Sequence, residues 1–333
     1  MAGFDEFSLI KRLFLPLTGG HAAALGLADD VALVDGPPGQ QWAMTTDAIV
    51  AGVHFFPDDA PDLIARKLIR VNLSDLAAKG AVPRFILLSA CFPQRCGLDW
   101  LDRFALGLKS DCQHFDLVVI GGDTVATPGP LTLSLTAIGQ LPRGQALLRS
   151  NARSGDTLWV SGTLGDAALG LLVAKGEAFG LSPAHAEFLL DRYHLPQPRL
   201  RLGKKLLGLA HAAMDLSDGL MADLAHLCDA SRLGAVVEEA SLPLSPAARA
   251  AIALQLGGGL EAAAAGGDDY EILFTAPPDQ DRRIALLAQT LELQLTPIGR
   301  MTPDLGAVLL QGRDGRPVAL SRRGYQHFTG QEP

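Results

Sequence analysis

Hydrophobic and polar positions along this 333-residue chain switch repeatedly between a helical period and short apolar runs, which predicts alternating helices and strands. Over residues 61–80, Leu63, Ile64, Leu68, Val71 and Leu76 recur at helical spacing; Pro61 falls in the first turn and Gly80 follows the last. Ala77 and Ala78 leave that helix open to close approach by another backbone. A second helix is expected at 98–114, with Leu101, Phe104, Ala105 and Leu108 inward, and a short one at 6–15 from Phe7, Ile10, Leu13 and Phe14. Strands are expected at 31–34 and 42–46, split by a Gly-Pro-Pro-Gly turn, then at 85–92, 117–120 and 131–139. Beyond residue 155 the pattern predicts strands at 157–161, 212–216, 235–239 and 270–276, with helices at 166–175, 182–193, 199–209, 220–230, 246–255 and 279–291. The end reads as two strands, 307–311 and 318–320, turned over Arg313–Gly315.

The basic, Pro/Gly-rich connection at 140–155 divides these elements. The chain is therefore expected to be an α/β (mixed α+β) protein of two domains, 1–145 and 150–333. Its 48% hydrophobic content supplies two cores. A net charge of −8 gives no basic face for nucleic acid, and no run of about 20 apolar residues offers a membrane span. Cys91, Cys96, Cys112 and Cys228 include no CxxC pair, and the acidic start lacks the features of a signal peptide, so a reduced, cytoplasmic chain is expected.

The chemistry-bearing residues are aspartates. Asp75 lies on the 61–80 helix, where folding does not require a carboxylate; Asp30, Asp47, Asp123, Asp215 and Asp218, with Asp268 in Gly266-Gly-Asp-Asp-Tyr270, follow or flank apolar runs, where strands meet loops. Thr45 and Thr46 precede Asp47 at the expected end of the second strand, and Gly121 and Gly122 precede Asp123 in what reads as a tight turn that phosphate can approach. Two like charges about 4 Å apart cost roughly 4 kcal/mol at an effective dielectric of 20, so gathered carboxylates call for cations between them. Oxygen donors without a Cys or His cluster favour Mg²⁺ over Zn²⁺. Arg143, Arg149 and Arg153 form a local basic patch suited to phosphate, and Ser217 or Asp218 is placed to cap the helix that follows. No GxxxxGK[ST] occurs. Asn72-Leu-Ser-Asp75 stands 48 residues before Asp123, and Asp215-Leu-Ser-Asp218 stands 50 before Asp268, an echo suggestive of two related halves.

Taken in order, Glu6-Phe-Ser-Leu-Ile10, Asp29-Asp30, Thr45-Thr-Asp47 with Gly52-Val-His-Phe55, Val71-Asn-Leu-Ser-Asp75, Gly121-Gly-Asp-Thr124, Asp215-Leu-Ser-Asp-Gly-Leu220, Gly266-Gly-Asp-Asp-Tyr-Glu271 and the terminal Gly-Tyr-x-His-Phe resemble the bacterial thiamine-monophosphate kinases. That group is similar to aminoimidazole ribonucleotide synthetase. The resemblance implies a two-domain αβ fold, a homodimer built through N-terminal strands, and ATP-dependent phosphorylation of thiamine monophosphate with several Mg²⁺ ions. It implies metal ligation by Asp30, Thr45, Thr46, Asp47, Asp75, Asp123, Asp215 and Asp218, with Asp47, Asp75, Asp123 and Asp215 catalytic. ATP contacts would be Gly122, Asp123, Arg149, Ser217 and Phe115; substrate contacts would be His54, Asp268 and Arg322. Three positions depart from the family pattern: Ala28 replaces a glycine, Asp268 is a methylene shorter than the usual glutamate, and Arg322 stands where a tryptophan is common. The alternatives are another ATP-using member of the superfamily, or a non-catalytic Mg-nucleotide-binding module. A hydrogenase-maturation relative would call for a C-terminal cysteine, and this sequence ends in Thr-Gly-Gln-Glu-Pro.

Overall fold

The computed structural model of the chain describes residues 15–325 except Gly19 and Arg323, so the helix expected at 6–15, but for its last residue, and the final His-Phe of the terminal motif lie outside the described residues. The first half builds a five-stranded sheet from β1 (Ala32–Asp35), β2 (Gln40–Val50), β3 (Val82–Pro93), β4 (Val118–Thr127) and β5 (Thr132–Pro142) in the order β1-β2-β5-β3-β4. All neighbours are antiparallel except β3 and β4. Helices α1 (Pro61–Ala78) and α2 (Leu98–His114) pack together, and α1 also covers β2 and β5. Ile64, Leu68, Ile69, Leu73 and Leu76 are fully buried against Leu133 and Leu135, each contributing about 2 kcal/mol of hydrophobic stabilisation.

The second half contains β6 (Thr157–Ser161), α3 (Asp166–Ala174), α4 (Pro183–His194), α5 (Leu200–Leu206), β7 (Ala212–Asp215), α6 (Leu220–Ser231), β8 (Gly234–Glu238), α7 (Pro246–Ala253), α8 (Glu261–Ala265), β9 (Ile272–Ala276), α9 (Asp281–Leu291), β10 (Leu295–Thr302) and β11 (Val308–Gln311). Its six-stranded sheet runs β11-β8-β10-β6-β9-β7, antiparallel save for β11 beside β8. The end of α1 reaches into this half: Ala77 packs in a cluster with Leu202, Leu206, Ala213 and Phe274. Gly203 of α5 lies so close to the Ala77 carbonyl that a Cβ there would collide. The small residues at 77–78 thus admit the second half onto the first.

Several expectations change. β2 extends to Val50, so Thr45–Asp47 lie within the strand rather than at its end. Gly121-Gly-Asp123 is likewise internal to β4 and forms no turn; Gly122 instead permits the backbone to press against Leu88. The buried face of α2 runs through Phe104, Gly107 and Asp111, while Ala105 is exposed. Gly107 sits against the Asp62 backbone, and Asp111 is drawn inward by Arg66 (3.0 Å) and Arg70 (2.6 Å) of α1. The expected terminal hairpin is reduced to a bridge between Gln311 and Pro317, since proline brings no N–H to a ladder, and β11 pairs with β8 instead. β10 escapes a pattern reading because Pro297 and Gly299 interrupt it; the register shifts between these two residues accommodate both. The Ala run at 261–265 forms α8. The echoed motifs fall on unlike elements: Asp75 on a helix and Asp218 in a loop, Asp123 on a strand and Asp268 in a loop.

Candidate active site

Where the halves meet, a cavity of about 590 Å³ is lined by Asp30, Thr45, Thr46, Asp47, His54, Asp75, Arg149, Asp215, Ser217, Asp218, Asp268 and Arg322. Helix α1 presents Asp75, whose carboxylate accepts a 2.6 Å hydrogen bond from Thr45 Oγ1 on β2. One turn earlier, Asn72 is fully buried; its Oδ1 accepts from the Asp47 N–H (3.0 Å) while its Nδ2 donates to the Leu68 carbonyl (2.9 Å). Asn72 therefore locks the middle of β2 to α1. Asp30 arrives on the bend before β1, Asp215 at the end of β7, and Asp218 in the loop before α6. Carboxylate oxygens of Asp30, Asp75 and Asp215 all lie within 4.8 Å of one another.

Gathering these acids perturbs them. Burial, reinforced by Asp215 and Asp218, pushes Asp47 up to about 6. Burial followed by Asp215 and Asp47 raises Asp75 well above the usual carboxylate range. Asp215 is also raised by burial, although the Ser74 hydroxyl, Arg149 and Lys79 act in the opposite direction. Arg149 pairs with Asp30 through Nη2, while its buried Nε has no hydrogen-bond partner among the described residues.

The Ser217–Gly219 loop is shaped by a residue that sequence reasoning passed over. Neither Ser217 nor Asp218 caps α6; Gly219 occupies the cap without a side-chain bond. Instead Asp223, buried in the first turn, accepts from the N–H groups of Asp218 (3.1 Å) and Gly219 (3.0 Å). Burial, then Asp218 and Asp215, raises its carboxyl well above the ordinary range. Asp223 is the fourth residue of α6, one position beyond where a capping-box acid stands after the Gly219 cap, so no capping motif marks it in Asp218-Gly-Leu-Met-Ala-Asp223.

Leu171, Leu172, Ala262 and Ala265 supply apolar wall to the same cavity. His54 Nδ1 accepts from the Val50 N–H (3.0 Å), and its carbonyl accepts from Lys67 Nζ (3.0 Å). The buried Lys67 also meets Asp268 at 2.9 Å and lies 4.1 Å above the centre of the Tyr193 ring. Asp268 holds a left-handed backbone (φ +70°). Arg322 is exposed at the rim, and Glu261 stands near it: two Ser321 hydrogen bonds (2.5 and 2.7 Å) and then Arg322 hold that carboxyl below its usual range. Tyr325, anchored by its N–H to the Asp218 carbonyl (2.9 Å), adds an aromatic wall, as do Tyr193 and Tyr270.

Three expected nucleotide contacts are not brought to this cavity. Gly122 and Asp123 lie on the exposed edge strand β4, where Asp123 accepts from the Thr124 N–H (2.9 Å). Phe115 follows α2 and packs against the first core, edge-on to His114 and beneath Arg70. The basic patch also separates, since Arg143 pairs with Asp35, Arg153 is exposed and only Arg149 reaches the acids.

The two sheets and the acidic cavity at their junction define a two-domain αβ protein of the AIR synthase-related class. The sequence pattern of "AIR synthase related protein, N-terminal domain" matches residues 28–141, and that of the corresponding C-terminal domain matches 153–310. The thiamine-monophosphate kinase of Caulobacter vibrioides is 42% identical over 325 residues, covering 97% of this chain and 90% of the relative; that of Escherichia coli strain K12 is 40% identical, covering 97% and 98%. The structure of AaThiL complexed with AMPPCP and TMP superposes with a TM-score of 0.84 at 31% identity, covering 97% of each chain. Thiamine-monophosphate kinase from Stenotrophomonas maltophilia K279a gives 0.76 at 42% identity, covering 94% of this chain and 98% of that one. The chain belongs to the thiamine-monophosphate kinase family.

Proposed function

We propose that this enzyme transfers the γ-phosphoryl group of ATP to thiamine monophosphate, forming thiamine diphosphate and ADP. The observation that carries the reading is the meeting of Asp30, Asp75 and Asp215 within 4.8 Å in a cavity whose wall also includes apolar and aromatic side chains. AaThiL complexed with AMPPCP and TMP supports a nucleotide and a second ligand as co-substrates. The donor set fits Mg²⁺: it is built of carboxylate and hydroxyl oxygens, and it is too negative to stay ionised alone, as the raised Asp47 and Asp75 indicate. Asp30, Thr45, Thr46, Asp47, Asp75, Asp215 and Asp218 would hold several such ions. Bound Mg²⁺ supplies charge neutralisation between phosphates and carboxylates.

The acceptor phosphate has a second pKa near 6, so it is mostly anionic at pH 7 and requires no strong base from the chain. The protein's task is positioning. Thr45 holds an Asp75 oxygen and Asn72 holds the Asp47 backbone, and the Nε of Arg149, unpaired among the described residues, offers a buried donor to a nucleotide phosphate. Ser217 lines the same cavity and is assigned as a further nucleotide contact. His54, Asp268 and Arg322 are assigned to the thiamine end.

We place the domain boundary between residues 145 and 150, and a homodimer contact on β4, whose Val118, Val119, Ile120 and Val125 stay about half exposed. An uncovered apolar edge invites strand pairing. Gly122 and Asp123 lie on that edge and Phe115 just before it, so a second copy seated there would enclose these three and complete the nucleotide and metal sites. A cytoplasmic location is consistent with four free cysteines. No helix among the described residues is long and apolar enough to cross a membrane.

Purified protein incubated with ATP, Mg²⁺ and thiamine monophosphate is expected to form thiamine diphosphate and ADP in equal amounts, and neither from free thiamine. Mg-dependent nucleotide binding with no thiamine diphosphate would overturn the assigned acceptor.

A further inference from the structure

The acidic cluster is divided between the two halves: Asp30 and Asp75 come from the first, Asp215 from the second. Its geometry therefore depends on how the halves are seated at the end of α1. Lys79, which follows α1 one turn beyond Asp75, is completely buried at that junction. Its ammonium stands 2.8 Å from Asp29 and 2.5 Å from Asp30, and donates to the carbonyls of Leu147 (3.1 Å) and Ala213 (2.7 Å). These four oxygens belong to three segments: the bend before β1, the connection between the sheets, and β7 two residues ahead of Asp215. A buried ammonium is costly unless paired and hydrogen-bonded, so this arrangement holds all three segments to the end of α1. The compact, three-donor head of lysine suits oxygens converging from several directions, whereas a planar guanidinium would not.

On the reading of the site as a Mg²⁺-dependent kinase, we infer that Lys79 is a positioning residue for the metal-binding carboxylates. It acts as a resident cation that holds Asp30 and the Ala213–Asp215 strand in register with Asp75, assembling the cage before any divalent ion enters. Lys79 is fully enclosed and is absent from the cavity wall, so it acts through the carboxylates rather than on substrate.

The test uses Lys79→Met, which keeps the apolar stem, and Lys79→Gln, which keeps an uncharged donor. Mg²⁺ binding to metal-free protein is measured by calorimetry without nucleotide, then kcat and KM across a Mg²⁺ titration. Supporting residues behind metal ligands typically change metal affinity by about 10- to 100-fold, so Mg²⁺ affinity is expected to fall at least about tenfold in both variants. The Mg²⁺ needed for half-maximal rate should rise in parallel, kcat should recover at high Mg²⁺, and KM for thiamine monophosphate at saturating Mg²⁺ should stay within about twofold. Folded variants with unchanged Mg²⁺ affinity and only a lower melting temperature would overturn the inference. Should neither variant fold, Asp29→Asn, which weakens the same grip without removing the ammonium, decides by the same Mg²⁺ measurement. Wild-type protein that binds no Mg²⁺ overturns the metal site and this role together; one that binds Mg²⁺ without making thiamine diphosphate overturns the kinase assignment and leaves the Lys79 comparison valid.

Discussion

Asp75 carries a half-buried carboxylate on a helix whose stability comes from its leucines and isoleucines. Replacing it with the isosteric Asn removes charge from the cluster without removing volume. Asp75→Asn is expected to lower turnover at least about a hundredfold, several kcal/mol of lost charge stabilisation, while the melting temperature of the metal-free protein holds or rises. Unchanged turnover would remove Asp75 from the metal site. Asp47 carries a pH prediction of its own. Its folded pKa of about 6 lies above the ordinary carboxylate value of 3.8, so between those values the folded chain binds more protons than the unfolded one. Its contribution to stability is greatest below about pH 4 and is lost as pH rises through about 6. Metal-free protein should therefore lose melting temperature across that window, and Mg²⁺ at pH 7 should restore it; a flat profile in a thermal scan without metal would contradict the burial of an ionising Asp47.

At the scale of elements, α1 is the piece that both halves share, and α2 is held to it by Gly107 and by Asp111 between Arg66 and Arg70. Asp111→Ala would leave the Arg70 charge buried without its carboxylate. The expected loss is about 3 kcal/mol in a chemical denaturation curve, and a change below about 1 kcal/mol would show that water replaces the partner. The extent of α1 and α2 was legible from proline, glycine and apolar spacing. The buried face of α2 was not, because a glycine and a paired aspartate occupy it where periodicity looks for large apolar side chains. β10 was hidden for a related reason: proline and glycine lower local strand preference, and only the neighbouring β6 and β8 make that segment a strand.

For the whole molecule, the exposed β4 edge is the feature a single chain leaves uncovered. Val119 is half exposed there, so Val119→Lys should not disturb the fold of one chain. It is expected to convert a homodimer into a monomer by light scattering and to weaken nucleotide binding. A dimer that survives this substitution would move the proposed interface away from β4, and the nucleotide roles proposed for Gly122 and Asp123 would need another source of enclosure.

The amino-acid sequence by itself determined the alternation of helices and strands, the division into two domains and the family, because these follow from local periodicity and from motifs kept in order. It also singled out the acids that line the cavity, Asp30, Asp47, Asp75, Asp215, Asp218 and Asp268, since carboxylates on a packed helix and beside strands have little reason to be there for folding alone. Tertiary structure decided which of those acids share one cluster: Asp30, Asp75 and Asp215 meet within 4.8 Å although they stand far apart in the chain, and Asp123 stays on an edge. It alone disclosed Lys67, Lys79 and Asp223, whose roles come from burial and from partners brought by other segments. A lysine near a helix end looks solvated in sequence; only the packing of both halves around it removes the water and makes its charge part of the site.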